Sequence, residues 1–387
     1  MSQHNGSFGH KGSLPIDALR GLLILLGIFL HAARPYDGSG DWLVVDRVGA
    51  EWLSYVPLVI GFFRMPLFFF LSGLLSWHAL TRRTNSAYMT SRVLRLGIPL
   101  AFAAVFMNAL VAWLLDGRAN MGQPATLSYW LRGEWLLHLW FLLFLIIYSA
   151  TLVLIRPLVA RLPVLSRGRA QAAVALGFVG AHFLALAVAQ VFPAVYAAIG
   201  SYGTIFWLLH FGTYFLLGAA ACRLFGNFRL IVESPINSPG ILFLGALTIS
   251  LHLFLATAGK GELWEIARNA VDGLLLWCVL YLLLALCSRL SEWIPRLCIA
   301  LAEASYSIYL IHHSIVVVLA VALQHALIPG ELKFAVIVLA TFAGSVVFHL
   351  LFVQRYAVSR MLINGQWEGD LRHALPLPGK IFRTRSN

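Results

Sequence analysis

Long apolar runs alternate with short polar joints along almost the whole chain. Each run is close to the roughly 20 residues that a helix needs to cross the hydrocarbon core of a bilayer. The joints contain the proline and glycine residues that end helices, as in the segment 234–240. The sequence therefore predicts ten membrane-spanning helices, at about residues 14–34, 56–80, 93–115, 135–155, 170–191, 204–224, 239–258, 268–288, 299–323 and 334–356.

The composition indicates an integral membrane protein with one domain. Of the 387 residues, 60% are hydrophobic and 11% are charged, and the mean hydropathy is +0.82, which is far from the balance of a soluble domain. Because the bilayer dictates the architecture, we expect an all-α, polytopic bundle of about ten helices that spans residues 1–387. Short tails are expected at about 1–13 and 357–387. The first run contains Asp17 and Arg20 and lacks a small-residue cleavage site, so it is not expected to be a removable signal peptide.

The basic residues predict the orientation of the bundle. If both termini and alternate loops lie on one side, that side holds most of the 28 lysine and arginine residues, and the positive-inside rule makes it cytoplasmic. Acidic residues such as Asp41, Asp46 and Glu134 then lie on the opposite side. The net charge of +12 follows from this topology and from contact with anionic membrane lipids. No nucleic-acid-binding motif is present, and the four cysteines suggest no disulfide framework.

Ionisable residues inside the apolar runs are candidates for function, because a charge at membrane depth costs about 2.5–3.5 kcal/mol on insertion scales. Arg20 and His31 are 11 residues apart, about three helical turns and roughly 16 Å along the first helix. Arg20 is expected near the cytoplasmic surface, within reach of Asp17, and His31 nearer the outside. Alternatively, Arg20 extends to the lipid headgroups and His31 is an interfacial histidine with its hydrogen bonds satisfied.

Two arginines, Arg92 and Arg95, open the third run and are expected to share a helix face at the cytoplasmic side. One interpretation is that they anchor the helix by binding lipid phosphate. The other is that they hold the phosphates of a cytoplasmic cofactor, since planar guanidinium groups match phosphate oxygens.

Glu134 and His138 are one turn apart at the predicted outer end of the fourth run. A carboxylate that accepts an imidazole proton fixes the tautomer of the ring and raises its basicity, which is the arrangement of a general base. The alternative is an ion pair at the membrane interface beside Trp135 and Trp140.

The second and ninth runs also carry polar residues. Arg64 lies deep in the second run, where a lipid-facing position is improbable, and Gly73 is expected to allow close helix packing. In the ninth run the spacing places four polar side chains on one stripe, which predicts a wet cavity or a polar helix contact. These side chains are Glu303, Tyr306, Tyr309 and His313.

These residues together resemble the membrane acyltransferase 3 superfamily. Arg20-x10-His31 resembles its first helix and Arg92-x-x-Arg95 its second motif. A narrower resemblance is to the members of the superfamily that succinylate osmoregulated periplasmic glucans in Gram-negative bacteria, and it covers nearly the whole chain. It is carried by Phe63-Arg-Met65 with Leu71-Ser-Gly73, Arg92-Val-x-Arg-x-Gly-Ile-Pro99, Glu134 before His138-Leu-Trp-Phe-Leu-Leu143, and Ile308-Tyr-Leu-x-His-His313.

The resemblance implies an acyl-CoA donor in the cytoplasm, an essential histidine near the outer end of the first helix, and a carbohydrate acceptor outside. We therefore expect a succinyltransferase of the bacterial inner membrane whose substrates are succinyl-CoA and periplasmic glucan, with no metal and no permanently bound cofactor. The donor is expected to reach through a wet passage along the first helix. The expected roles are catalysis for His31 and Glu134, CoA binding for Arg20, Arg92 and Arg95, and substrate binding for Arg64, His138, Glu303, Tyr306 and His313.

Two other functions agree with the same residues. One is an O-acetyltransferase that acts on another extracytoplasmic polysaccharide. The other is a transporter of a glycolipid or an organic anion, which would use the buried arginines as its anion site. A transporter predicts broken helices in two related halves, and the sequence has no such halves. A structural subunit would leave Arg20, Arg64 and His31 without a purpose.

Overall fold

The computed structural model describes residues 14–115, 122–192, 194, 198–199, 203–232, 239–259 and 261–366. The helices of the first half are α1 (Leu14–Ala33), α2 (Tyr55–Leu80), α3 (Asn85–Arg92), α4 (Ile98–Phe102), α5 (Ala109–Leu114), α6 (Leu127–Leu131), α7 (Trp140–Leu154), α8 (Arg156–Ala160) and α9 (Arg167–Val191). Those of the second half are α10 (Ile205–Leu224), α11 (Arg229–Val232), α12 (Pro239–Ala258), α13 (Glu262–Trp293), α14 (Pro295–Leu323), α15 (Gly330–Phe348) and α16 (Ala357–Asn364).

Shorter segments join or extend these helices. The 3₁₀ segments are Arg34–Tyr36, Glu51–Ser54 and Glu134–Leu139, and the π-helical segments are Val93–Gly97, Ala103–Asn108 and His349–Val353. Two antiparallel strands of two residues each, β1 (Ala198–Ile199) and β2 (Gly203–Thr204), form a small hairpin directly before α10, with Ala198 opposite Thr204 and Ile199 opposite Gly203.

The all-α polytopic fold predicted from the apolar runs is confirmed. Within the described residues, nine helical segments are long and apolar enough to cross a membrane, and each overlaps one of the predicted spans. The remaining predicted span, 170–191, lies within α9, which has 25 residues and a length of about 37 Å. Local hydrophobicity therefore locates the nine candidate spans of the described residues, whereas α9 is a helix at the tenth predicted position that is not among them.

Helix α1 lies inside the bundle, in contact with α2, α13, α14 and α15. Leu19 and Leu23 are fully buried, and a β-carbon at Gly21 would lie 2.9 Å from Cγ of Leu301. Because Gly21 faces Leu301 near the start of α14, while His31 faces His313 further along it, α1 and α14 run parallel. This relative direction is the one that the predicted order requires of the first and ninth spans.

Helices α2 and α10 cross with their backbones in direct contact. A β-carbon at Gly73 would overlap the carbonyl oxygen of Phe215, and one at Gly218 would overlap that of Phe70. Small residues allow membrane helices to approach this closely. The predicted packing role of Gly73 is confirmed.

The segment between α1 and α2 folds back onto the end of α1. Its backbone is held by hydrogen bonds from Asp46 N to Pro35 O and from Ala50 N to Tyr36 O, both 3.0 Å. The ammonium group of Lys333, on α15, donates to Oδ2 of Asp46 at 2.7 Å, and both side chains are almost completely buried. This ion pair fixes the segment over one end of the bundle.

The chain after residue 356 differs in part from the predicted tail. Helix α16 packs against α4 and α14, and Ile363 is buried. Gly365 ends α16 in the left-handed conformation, with φ 59°, and its Cα approaches the backbone of Arg95 so closely that a β-carbon would be 2.5 Å from Cα of Arg95. Residues 357–366 thus belong to the bundle, and residues 1–13 and 367–387 lie outside the described residues.

Candidate active site

Four imidazole rings meet near the C-terminal end of α1 and form what we call the histidine cluster: His31, His138, His312 and His313. The ring centroid of His31 lies 5.4 Å from that of His312 and 5.1 Å from that of His313. The rings of His138 and His313 are stacked, with centroids 4.5 Å apart. The cluster joins α1, α14 and the 3₁₀ segment before α7. In the described ranges, no group of three or more histidine, cysteine, aspartate or glutamate residues is arranged to hold a metal ion.

Backbone carbonyls fix the tautomers of two of these rings. Nδ1 of His312 lies 2.6 Å from the carbonyl oxygen of Tyr309, and Nε2 of His138 lies 3.3 Å from that of Leu310. Because a carbonyl can only accept, each of these nitrogens donates, and in a neutral ring the other nitrogen is an acceptor. Those other nitrogens, Nε2 of His312 and Nδ1 of His138, are buried without a hydrogen-bond partner. Each of these two nitrogens therefore keeps an unused lone pair.

Aromatic rings pack around His31. Trp42, from the segment after α1, stacks beside it with centroids 6.4 Å apart, and Nδ1 of His31 is buried without a hydrogen-bond partner. A cation near the cluster is Arg64, whose Nε donates to the carbonyl oxygen of Leu23 at 2.9 Å. A substrate hydroxyl can therefore meet an uncommitted imidazole nitrogen at this place.

The interpretation that Glu134 and His138 share one helix face is wrong, because the backbone turns between them. Leu137 has φ 37° and ψ −122° inside the 3₁₀ segment, a conformation that costs a non-glycine residue about 1–3 kcal/mol. The turn directs His138 into the histidine cluster, while Oε2 of Glu134 accepts a hydrogen bond from the backbone N–H of Gly122. Glu134 is thus not placed to orient the imidazole of His31, the catalytic role predicted for it.

A cavity of about 590 Å³ opens beside the histidine cluster. At the cluster it is bounded by His31, His138, His313, Arg64 and Tyr309, so the structure brings together three of the five predicted substrate-binding residues. The other two lie elsewhere, because α14 turns them away from the cavity: Glu303 is exposed, and the hydroxyl of Tyr306 donates to the carbonyl oxygen of Arg95 at 3.2 Å. The polar stripe predicted on α14 is therefore divided: Tyr309 and His313 line the cavity, whereas Tyr306 contacts Arg95.

The predicted CoA-binding arginines lie toward the other end of α1, and we call Arg20, Arg92 and Arg95 the arginine cluster. Nη2 of Arg92 donates to Oγ of Ser76 at 3.0 Å, and the Arg92 guanidinium lies over the ring of Tyr88. Arg20 forms an ion pair with Asp17 at 3.6 Å, and its Nε is buried without a hydrogen-bond partner. Arg20 and Arg92 are close enough to repel each other, which favours an anion between them.

One aromatic side chain contacts both the arginine cluster and the cavity. The guanidinium carbon of Arg20 lies 5.7 Å from the ring centroid of Phe68, and the same Phe68 lines the cavity. Phe68 packs edge to face against Phe141, with centroids 4.7 Å apart. No arginine of the cluster lines the cavity. The cavity therefore does not extend to the arginine cluster, and Phe68 contacts both.

The structure adds cavity residues for which the sequence prediction gave no role. They are Trp42 and Asp41 from the segment after α1, and His182 and His210 on α9 and α10. His312 is a further residue without a predicted role, which belongs to the histidine cluster but does not line the cavity. The two histidines of α9 and α10 lie in apolar runs. Because a polar group at membrane depth is costly, their positions in the sequence could have identified them as candidates for function. Trp42 lies in a loop and carried no such signal.

Comparison with known proteins agrees with this architecture. The family model described as "Acyltransferase domain" matches residues 15–351, and the chain belongs to this family. It is a multi-pass membrane acyltransferase, and the resemblance to the acyltransferase 3 superfamily is confirmed.

Relatives are proteins named "Glucans biosynthesis protein C" from Salmonella heidelberg (strain SL476), Salmonella typhi and Salmonella typhimurium. Each is 28% identical to this chain over 317 residues, which cover 77% of this chain and 80% of the relative. No solved structure gives a significant match.

Proposed function

We propose that the protein transfers a succinyl group from succinyl-CoA in the cytoplasm to hydroxyl groups of periplasmic glucans. On this proposal it lies in the bacterial inner membrane with both termini in the cytoplasm. The observation that carries the proposal is the division of polar residues along the parallel pair α1 and α14. Cationic side chains gather at one end of the pair, and imidazole rings gather about 16 Å further along α1. The name of the Salmonella relatives supports a glucan as the acceptor.

The donor is bound at the arginine cluster. CoA carries several phosphate groups, and guanidinium groups bind phosphate with paired, charge-assisted hydrogen bonds. Arg92 is already held by Ser76 and Tyr88, so binding costs it little conformational entropy. Arg95 is exposed in the π-helical segment Val93–Gly97 and reaches the same ligand from the surface.

The thioester reaches the cavity when Phe68 moves. The pantetheine arm of CoA is long and thin, and Phe68, which packs on Phe141, contacts both Arg20 and the cavity. A change of the Phe68 rotamer opens the way along α1. Closure in the absence of donor keeps water and ions from crossing the bundle.

At the cavity, His31 acts as the general base. Its free imidazole nitrogen takes the proton of a glucan hydroxyl as the hydroxyl oxygen attacks the thioester carbonyl carbon. The carbon–sulfur bond then breaks, and the CoA thiolate leaves and takes the proton back from His31. The products are a succinyl ester and free CoA. An acyl-histidine intermediate is the two-step form of the same reaction.

Arg64 selects the succinyl group over the acetyl group. Its Nε is committed to the carbonyl oxygen of Leu23, which holds the guanidinium beside the histidine cluster, and the two Nη groups remain as donors. A succinyl group ends in a carboxylate that such a guanidinium binds, whereas an acetyl group offers it nothing. An arginine held in the interior of the bundle is the feature that a succinyl donor needs.

Mass spectrometry of periplasmic glucans tests the proposal. Glucans from cells that express the gene should carry one or more succinyl units that are absent without it and absent with His31→Ala. An increase by acetyl units would identify an acetyltransferase, and unchanged glucans would refute the proposed acceptor. Purified protein should release CoA from succinyl-CoA in the presence of glucan, whereas a transporter would consume no acyl-CoA.

A further inference from the structure

The cavity has a second polar end, away from the histidine cluster, between α9 and α10. His182 of α9 and His210 of α10 both line it, with ring centroids 5.7 Å apart. The charged residues that line the cavity are Arg34 and Asp41, in the segment between α1 and α2, and Arg64 on α2. The lining residues that α9 and α10 contribute are histidine, phenylalanine and tryptophan, and none of them is a lysine or an arginine.

A hydrogen bond fixes one of the two rings. Nδ1 of His182 lies 2.7 Å from the hydroxyl oxygen of Tyr214, a side chain that is fully buried. Asp272 acts electrostatically on both groups and is itself bonded to Nδ1 of His252 at 2.6 Å. With Nδ1 engaged, the remaining nitrogen of His182 is the one that can bind a ligand.

The other ring, His210, has an unused polar atom. Its Nδ1 is buried without a hydrogen-bond partner, and Phe206 stacks on the ring with centroids 5.5 Å apart and planes 8° from parallel. The hydroxyl oxygen of Thr204 accepts from the backbone N–H of Trp207 at 3.1 Å and caps α10. The cap fixes the start of α10. Trp207 and His210 are three residues apart in this helix and therefore share one of its faces.

Aromatic rings connect this end with the histidine cluster. Trp140 lies 5.4 Å from Trp207 and 5.6 Å from Phe211, measured between ring centroids. Trp140 also comes two residues after His138. All three aromatic side chains line the cavity, so the wall between its two polar ends is flat and apolar.

We propose that His182, His210 and Trp207 form a binding site for a sugar ring of the acceptor, which presents one of its hydroxyl groups to the histidine cluster. The inference rests on the proposed function and deepens it. A pyranose has C–H faces that pack on aromatic rings and a rim of hydroxyl groups that both donate and accept. Neutral imidazoles supply one donor and one acceptor each, which suits an uncharged polyhydroxyl ligand.

The same chemistry disfavours the other possible occupants. An anionic ligand would find no cation among the lining residues of α9 and α10. A lipid tail would cover the buried Nδ1 of His210 without pairing it, and an unpaired buried polar atom is costly. A sugar ring can pack its C–H face on the aromatic wall and form hydrogen bonds with the imidazole nitrogens.

Binding of unsubstituted periplasmic glucan to the purified full-length protein, with no donor present, tests the proposal. His182→Phe and His210→Phe keep an aromatic ring but remove its hydrogen-bonding nitrogens, and each should weaken glucan binding roughly fivefold to tenfold. Trp207→Ala, at a side chain that is 36% exposed, should do the same with little risk to folding. His325→Gln, at an exposed histidine beyond α14, is the matched control and should bind as wild type does.

The two proposals fail in different ways. Unchanged glucan affinity in all three variants would overturn the sugar site, and so would displacement of bound lipid without any glucan binding. Weakened glucan binding with unchanged affinity for succinyl-CoA would support it, because the donor binds elsewhere. A wild-type protein that binds glucan through these residues but transfers no succinyl group would refute the proposed function and leave the sugar site standing.

Discussion

The Nη2 atom of Arg64 lies directly against the backbone of Gly27, so that a β-carbon at residue 27 would be 2.5 Å from it. The same β-carbon would lie 3.4 Å from Nε2 of His312. Helix α1 can therefore hold the guanidinium of α2 beside the histidine cluster only because residue 27 has no side chain. The position of Arg64 depends on a glycine that is four residues before His31.

Gly27→Ala should displace the guanidinium of Arg64 and lower succinyl transfer about tenfold or more, since small misplacements at a reacting centre are costly. The measurement is the initial rate of succinyl-glucan formation, together with the melting temperature. Gly180→Ala, on α9 where a β-carbon meets nothing within 4 Å, is the matched control and should leave the rate unchanged. A Gly27→Ala protein of wild-type activity would show that the position of Arg64 is irrelevant.

His31→Ala should lower the rate of transfer by about 10²–10⁴-fold, the usual contribution of a general base. Affinity for succinyl-CoA should stay within about twofold of wild type, because the arginine cluster is untouched. His325→Ala, an exposed histidine outside both clusters, serves as the control. If the folded His31→Ala variant transferred succinyl groups at the full rate, both the direct and the acyl-histidine mechanism would be excluded.

Arg92→Ala and Arg95→Ala should each weaken CoA binding about tenfold, because each removes a charge-assisted contact to phosphate. Isothermal titration with CoA measures the effect. Arg161→Ala removes the same charge from an exposed position on the same predicted side and should have little effect. Glucan affinity should not change in any of these variants. Unaltered CoA affinity in the Arg92 and Arg95 variants would place the donor site elsewhere.

Lys333→Met should destabilise the protein by about 3–5 kcal/mol, because it leaves the carboxylate of Asp46 buried and unpaired. The double variant Lys333→Met with Asp46→Asn removes both charges and should recover part of the loss. Thermal unfolding in detergent compares the two variants. Equal stability of the single variant and wild type would mean that water reaches the pair and that the segment after α1 is held by other contacts.

The arginine cluster shows which features of the site can be predicted from the spacing of residues in the sequence. Spacing along the chain placed Arg20 and Arg92 at helix ends, and the structure brings them within electrostatic range of each other. The position of Phe68 between Arg20 and the cavity could not be predicted in this way. It depends on how α2 packs against α7, and nothing in the apolar run of α2 distinguishes Phe68 from Phe69 or Phe70.

The sequence by itself determined where the helices lie, which residues are polar at membrane depth and to which family the chain belongs. These properties are local, because apolar run length and the cost of a buried charge act on each segment separately. Only the tertiary structure decided which residues surround His31. The turn at Leu137 separates Glu134 from His138, and the parallel packing of α14 on α1 brings His312 and His313 to His31. Contacts between helices depend on where the backbone turns and on the direction in which helices pack. Helical periodicity in the sequence predicts neither of these.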